Sequence, residues 1–319
     1  MEHKPKLAVS ACLLGEKVRY NGESSEFRAL TQKWNGHFEM MGVCPEVGIG
    51  MGTPRPTIRL VNNGESIRLV NPKNGDDLTS PMLEYAQLQA DALVDSGICG
   101  FVFKKDSASC GLERVKVYRE GHTSATHDGM GMFAKVFTTF YPHIPVIEEG
   151  QLTEARQAEH YLARVHFFSL WYQEGLKGWT AKSIMEFHNV NKLFLLSRSA
   201  NAKRRLERLI AQGFDNDDRP ETVALAYMTE AQQSLKVLTK SGPIAHAMER
   251  VLGKLSSNLS KNERQEVLDT INDFRQGLVP RSAPLTLLQH HLRRCHIDTP
   301  IHQRFLSPIP LSLGLMARV

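Results

Sequence analysis

The sequence predicts an α/β N-terminal domain with a mainly parallel, Rossmann-like sheet, followed by an all-α helical-bundle domain. Three observations predict it. Short apolar runs alternate with helical stretches as far as about residue 150, and long amphipathic runs replace them afterwards. The charge balance also changes sign: residues 1–150 hold 16 Lys and Arg against 18 Asp and Glu, a net of −2. Subtracted from the chain totals of 39 and 34, this leaves 23 against 16 in residues 151–319, a net of +7.

In the first half, "KLAVSACLL" (6–14) reads as a buried strand, "FRALTQKWNGHF" (27–38) as a helix and "EMMGVCPEV" (39–47) as a strand running into a turn. "MLEYAQLQADALVDSG" (82–97) carries apolar residues at helical spacing and stops at Gly97, and "ICGFVFKK" (98–105) follows as another apolar strand. Strands alternating with helices make a parallel sheet, whose ligands bind beyond the C-terminal strand ends. Cys12, Cys44 and Cys110 fall at such places, whereas Cys99 lies inside a strand and reads as core.

The second half reads as seven helices: 154–175, 183–197, 201–214, 220–242, 243–256, 261–277 and 284–296. The domains are expected to be 1–150 and 151–319. No stretch approaches the roughly 18 apolar residues of a membrane span, so no membrane partner is expected. Five cysteines are too few and too scattered for a disulfide framework, which points to a reducing, cytoplasmic setting.

Cys12 sits in "VSACLLG" and admits four readings: a lipid-attachment cysteine, a packing residue, a nucleophile, or a metal or cluster ligand. The lipid reading fails on length, since a signal needs an apolar region of about 7–15 residues and only Leu7–Ala11 precede Cys12. The others stay open on local sequence. Cys12, Cys44 and Cys110 are 32 and 66 residues apart, unlike the compact spacing of a ferredoxin or zinc ribbon. Each nevertheless has Gly, Pro and polar neighbours that a core cysteine does not need. "GIGMGTPRP" (48–56) suggests an open turn presenting amides, without the full dinucleotide-binding glycine spacing.

Taken together, "SACLLG…VRYNG" (10–22), "CPE…GMGTPRP" (44–56), "SASCG" (107–111) and "DGMGMFA" (128–134) resemble the motifs of the thiouracil desulfurase family over residues 7–147. The segments "FHNVNKLFLLSRS" (187–199) and "DFRQGLVPRSAPLTLLQHHLRR" (273–294) resemble the domain fused to such desulfurases in the tRNA 4-thiouridine desulfidase family. The resemblance implies a [4Fe–4S] cluster held by Cys12, Cys44 and Cys110 with one iron open. It implies non-redox conversion of 4-thiouridine in tRNA to uridine, with sulfide released. Open iron is thiophilic and polarises a C–S bond as a Lewis acid. Glu46 matches the family's acidic position for handling the proton, and Ser109 matches a serine near the substrate. Ser107 and Arg55 are candidates of the same kind for substrate binding. The family often carries proline at the place of Ala108 and aspartate at the place of Asn21.

Lys203, Arg204, Arg205 and Arg208 form a basic run on one predicted helix, and Arg281, Arg293 and Arg294 a second basic group. Such groups neutralise phosphates on RNA without reading sequence, or simply solvate a helix face. The resemblance favours tRNA as partner, and no DNA is expected. His291 and Cys295, beside His290 and His296, have a spacing compatible with zinc. Two further readings stay open: desulfuration of free 2-thiouracil-type bases, and a non-catalytic RNA-binding protein with a structural metal site.

Overall fold

The computed structural model describes residues 4–313 except 217 and 298, and for 301, 303 and 311 the backbone alone. It divides into two compact units, Met1–Thr153 and Glu154–Val319.

In the first unit, β1 (Lys6–Ser10), β2 (Glu39–Val43), β5 (Ile98–Phe103) and β8 (Val146–Glu148) form a sheet in the order β2-β1-β5-β8. All three pairings are parallel, so the C-terminal ends of the strands share one edge. β1 and β5 are central and buried on both faces, which is why they read as unbroken apolar runs. On β5, Phe101 and Phe103 point to one face and stack 3.8 Å apart. Phe133 and Phe137 of α3 (Met132–Phe140) meet them there, and all four rings are inaccessible to solvent. Each contributes roughly 1.5–3 kcal/mol of burial. α2 (Thr79–Asp95) packs beside α3 through Met82, Ala86, Ala90 and Leu93, one helical stripe. Cys99 is fully buried in β5, as its sequence position predicts.

Two features depart from the sequence reading. Residues 29–34 form a π-helical turn rather than an α-helix, closed by Trp34 in the core. A second sheet also exists, in the order β4-β3-β6-β7: β3 (Arg59–Asn62), β4 (Ile67–Val70), β6 (Val115–Arg119) and β7 (Ala125–Gly129). It is mixed, with β3 parallel to β6 and antiparallel pairs at both edges. Its strands are short, half exposed and interrupted by charge, so each gives only a faint alternating signal.

The second unit is helical. It contains α4 (Ala155–Gly175), α5 (Ala181–Arg198), α6 (Ala200–Asp215), α7 (Pro220–Ser234), α8 (Ser241–Leu255), α9 (Lys261–Gln276), α10 (Ser282–Arg294) and α11 (Pro300–Leu306). Capping boxes open two of them: Thr180 with Ser183 at α5, and Ser260 with Glu263 at α9. Phe167, Trp171, Phe187, Phe194 and Tyr227 make an aromatic core between α4, α5 and α7. The run 220–242, predicted as one helix, ends at Ser234, and a turn leads into α8. No helix among the described residues is long and apolar enough to cross a membrane.

Candidate active site

Three loops leave the shared sheet edge, and each delivers one cysteine. Ser10 ends β1, and Cys12 follows in the one-turn 3-10 helix Ala11–Leu14. Cys44 follows β2 and is the N-cap of α1 (Pro45–Gly48), where Pro45 occupies the first helical position and has no N–H to leave unpaired. Tyr85 of α2 lies over this turn: a Cβ on Gly48 would come within 2.1 Å of its ring, so a larger residue there would displace the tyrosine. Cys110 follows β5 in the loop 104–114.

That third loop is held by the start of α3. Gly131 donates to the carbonyl of Gly111 (2.7 Å), Met132 to that of Ala108 (3.0 Å) and Ala134 to that of Ser109 (3.2 Å). A Cβ on Gly131 would lie 2.5–2.7 Å from the backbone of Ser109 and Cys110. The motif "DGMGMFA" is thus a seat for the cysteine loop, and its second glycine permits the approach.

The polar side chains form one chain of hydrogen bonds. Arg55 Nε donates to Glu46 Oε2 at 2.8 Å, and Ser109 Oγ donates to Glu46 Oε1 at 2.8 Å. Ser107 and Ser109 hydroxyls lie 2.9 Å apart, and Ser107 Oγ accepts from the Cys110 amide at 3.1 Å. Arg55 Nη2 donates to the Val18 carbonyl (2.7 Å) and stands 3.9 Å from Cys44 Sγ. The side chains of Arg55 and Glu46 are only 5% and 15% exposed, so this charged pair is screened little by water.

Cys12, Cys44, Cys110, Glu46, Arg55, Ser107 and Ser109 all line one cavity of about 340 Å³. The structure therefore gathers every site residue predicted in the first unit. It also adds residues the sequence reading did not single out. Ser10, buried, accepts from the Lys104 amide (2.9 Å) and neighbours Cys110. Lys104 lines the cavity and pairs with Glu149. Both residues stand inside quoted motifs, so their position was the available signal. Asn21 lies outside the lining and donates to Glu23 at 2.7 Å.

Burial pushes the Cys12 thiol up to about 11, with Lys104 opposing, and the Cys110 thiol up to about 12, with the Ser109 hydroxyl opposing. Burial also raises Cys44. Three soft donors on three separate elements thus face one cavity, with Arg55 3.9 Å from Cys44 Sγ, and a bound metal group would stabilise their thiolates. Among the described residues no set of three or more His, Cys, Asp or Glu is spaced for a single metal ion. A polynuclear cluster takes each thiolate on a different iron and needs no such convergence. The donor set fits a cluster.

The basic run lies on α6. Arg204, Arg205 and Arg208 are exposed and Lys203 is half-buried. Lys203 pairs with Glu207, Arg205 with Glu230, and Arg204 donates to Asn201. Arg281 is corrected: it is buried and paired with Glu159, so it does not belong with the exposed Arg293 and Arg294. The zinc reading is corrected as well. His291 points into the core while His290 and His296 are exposed, so the four candidates do not converge.

Comparison with known proteins agrees with this architecture. The family model for 2-thiouracil desulfurase matches residues 7–149. A model described as a protein of unknown function, DUF1722, matches residues 192–310. No curated protein matches the chain. One similar solved structure is described as the [4Fe–4S]-dependent thiouracil desulfidase TudS; it is 31% identical, covers 47% of this chain and 94% of its own, and superposes with a TM-score of 0.39. The first unit, with its cysteine-lined cavity at the sheet edge, is a thiouracil desulfurase-like domain, a member of the 2-thiouracil desulfurase family.

Proposed function

We propose that this chain replaces the thiocarbonyl sulfur of a thiolated uracil ring with oxygen from water, and that its substrate is 4-thiouridine in tRNA. The observation that carries the chemistry is the cavity where three cysteines meet a half-buried carboxylate held by an arginine and a serine. Cys12, Cys44 and Cys110 would hold a [4Fe–4S] cluster. When bound, the cluster supplies an iron that binds and polarises the thiocarbonyl sulfur.

The remaining chemistry belongs to side chains. Water must attack the ring carbon, so a base must take its proton. Of the two carboxylates in the cavity lining, Asp106 is exposed, whereas Glu46 is held in place by Arg55. Ser109 holds its second oxygen, and Ser107 fixes Ser109 in turn. As the C–S bond breaks, the added hydroxyl gives up its remaining proton to solvent, sulfur leaves as sulfide, and the proton held at Glu46 is available to it. The ring carbon gains one oxygen and loses one sulfur, with no net electron transfer.

The tRNA substrate is supported by the family resemblance of both halves and by the net +7 of residues 151–319, which a free base would not require. A second reading, free 2-thiouracil-type bases, is supported by the family description and by a site built wholly within the first unit. The test is anaerobic turnover of tRNA containing 4-thiouridine beside 4-thiouridine nucleoside and 2-thiouracil. Far higher kcat/KM on tRNA supports the first reading, and equal or better turnover of the free base overturns it.

A further inference from the structure

The second unit contains a cavity of about 730 Å³ that the proposed chemistry does not use. Among the described residues its lining includes five cationic side chains, Arg156, Arg198, Lys240, Arg275 and Arg281, and one carboxylate, Glu159. Glu159 is almost fully buried and receives both Arg198 (3.4 Å) and Arg281 (3.3 Å) on the same oxygen. Arg275 is answered by Glu249 outside the cavity. Arg156 donates to a neutral carbonyl, that of Thr239, and Lys240 has no ion pair among the described residues. The side chain of Arg198 is 7% exposed, and its Nε is buried with no hydrogen-bond partner among the described residues.

Positive potential here has a second source. α8 begins at Ser241 and α10 at Ser282, beside the lining residues Lys240 and Arg281, and neither has a side-chain cap. Both helices exceed twelve residues, and their first amides carry the positive end of the helix dipole. Ser241 also lines the cavity. Arg198 and Arg281 together exceed Glu159 by one buried positive charge, which is costly unless a further anion answers it, and helices that served only for packing would be as stable with apolar residues at such positions. The guanidinium groups of Arg156 and Arg198, with the Lys240 ammonium at the start of α8, offer charge and donor geometry that suit a phosphoryl group. Leu238, Ile244 and Phe274 supply an apolar wall on which a base or sugar can rest.

We propose that this cavity binds the phosphate of a nucleotide, with Arg156, Arg198 and Lys240 as the phosphate ligands. The site deepens the RNA reading above, and the binding test does not depend on that reading. The full chain is titrated by calorimetry at constant ionic strength with inorganic phosphate, uridine 5′-monophosphate and uridine. Phosphate and the monophosphate bind, with the monophosphate tighter, and uridine does not. Arg156→Gln combined with Lys240→Gln alters only exposed side chains, so the fold is kept, checked by an unchanged melting curve. It weakens the monophosphate about tenfold or more. Arg198→Lys keeps the charge and loses the fork, and weakens it as well.

A 5′-phosphorylated RNA oligonucleotide is then compared with its 5′-hydroxyl form. Preference for the first identifies a chain terminus or free nucleotide as the source, and equal affinity lost in the double variant identifies a backbone phosphate. Equal binding of uridine and its monophosphate, or full affinity in the double variant, overturns the proposal. Either result leaves the desulfuration assay unaffected, so the two readings fail separately.

Discussion

The two units place polar chemistry in opposite ways. In the first, the central strands β1 and β5 are buried, and the polar site groups come from the strand ends, turns and loops at one sheet edge. In the second, charged groups project from the flanks of α4 and α5 and from the start of α10 into a cavity within the bundle, with Glu159, Arg198 and Arg281 nearly buried. A parallel sheet gathers strand ends at one place, so residues remote in sequence meet without charge entering the core. A helical bundle has no such edge, and a polar site inside it must be carried by buried charges that satisfy one another.

The largest expected effect tests the first arrangement. Cys12→Ser, Cys44→Ser or Cys110→Ser each abolishes iron, acid-labile sulfide and turnover in protein purified without oxygen, while Cys99→Ser keeps all three. Loss of iron in the Cys99 variant would mean that the cavity does not define the ligand set. Next, Glu46→Gln leaves the iron content intact and lowers kcat by roughly 10²–10⁴-fold, the usual worth of a positioned base. Ser109→Ala lowers it less, because Arg55 still holds Glu46. Full turnover of the Glu46 variant would assign the proton elsewhere.

Two predictions address the second arrangement. Removing one member of a buried charge cluster leaves the others unanswered, so Glu159→Gln destabilises the helical unit by roughly 3–5 kcal/mol in chemical denaturation. The iron content of the first unit stays unchanged. An effect below about 1 kcal/mol would mean the cluster is effectively solvated. The pH dependence is smaller. Burial, then Arg198 and Arg164, lowers His160 from 6.5 to about 4. The unfolded chain therefore binds a proton that the folded chain refuses between those values. Stability is complete above pH 6.5 and declines as pH falls towards 4, by about 2 kcal/mol at pH 5. His160→Gln removes that difference between pH 7 and pH 5.

The smallest effect belongs to α6. Neutralising Lys203, Arg204, Arg205 and Arg208 together changes stability by about 0.5 kcal/mol or less per residue, since their pairs lie at the surface. It weakens tRNA binding and flattens its salt dependence. An unchanged salt slope removes this helix from the docking surface.

By itself the sequence determined the two-unit plan, because continuous apolar strands and amphipathic helices leave periodic signals within ten or twenty residues. It also marked Cys12, Cys44, Cys110, Glu46, Ser107, Ser109 and Arg55, through local motifs that carry a family resemblance. It did not disclose the second sheet, whose strands of four or five residues are too short and too charged to stand out. Nor did it disclose that Gly131 seats the Cys110 loop or that Ser10 braces Lys104, since these are contacts across 21 and 94 residues. Arg281 shows the limit most directly. Beside Arg293 and Arg294 in sequence it reads as another surface cation, yet folding carries it to Glu159, 122 residues away. Periodicity reports which face of a segment is apolar. Only the packed chain decides which buried charge finds its partner, because that pairing depends on distances that no local pattern encodes.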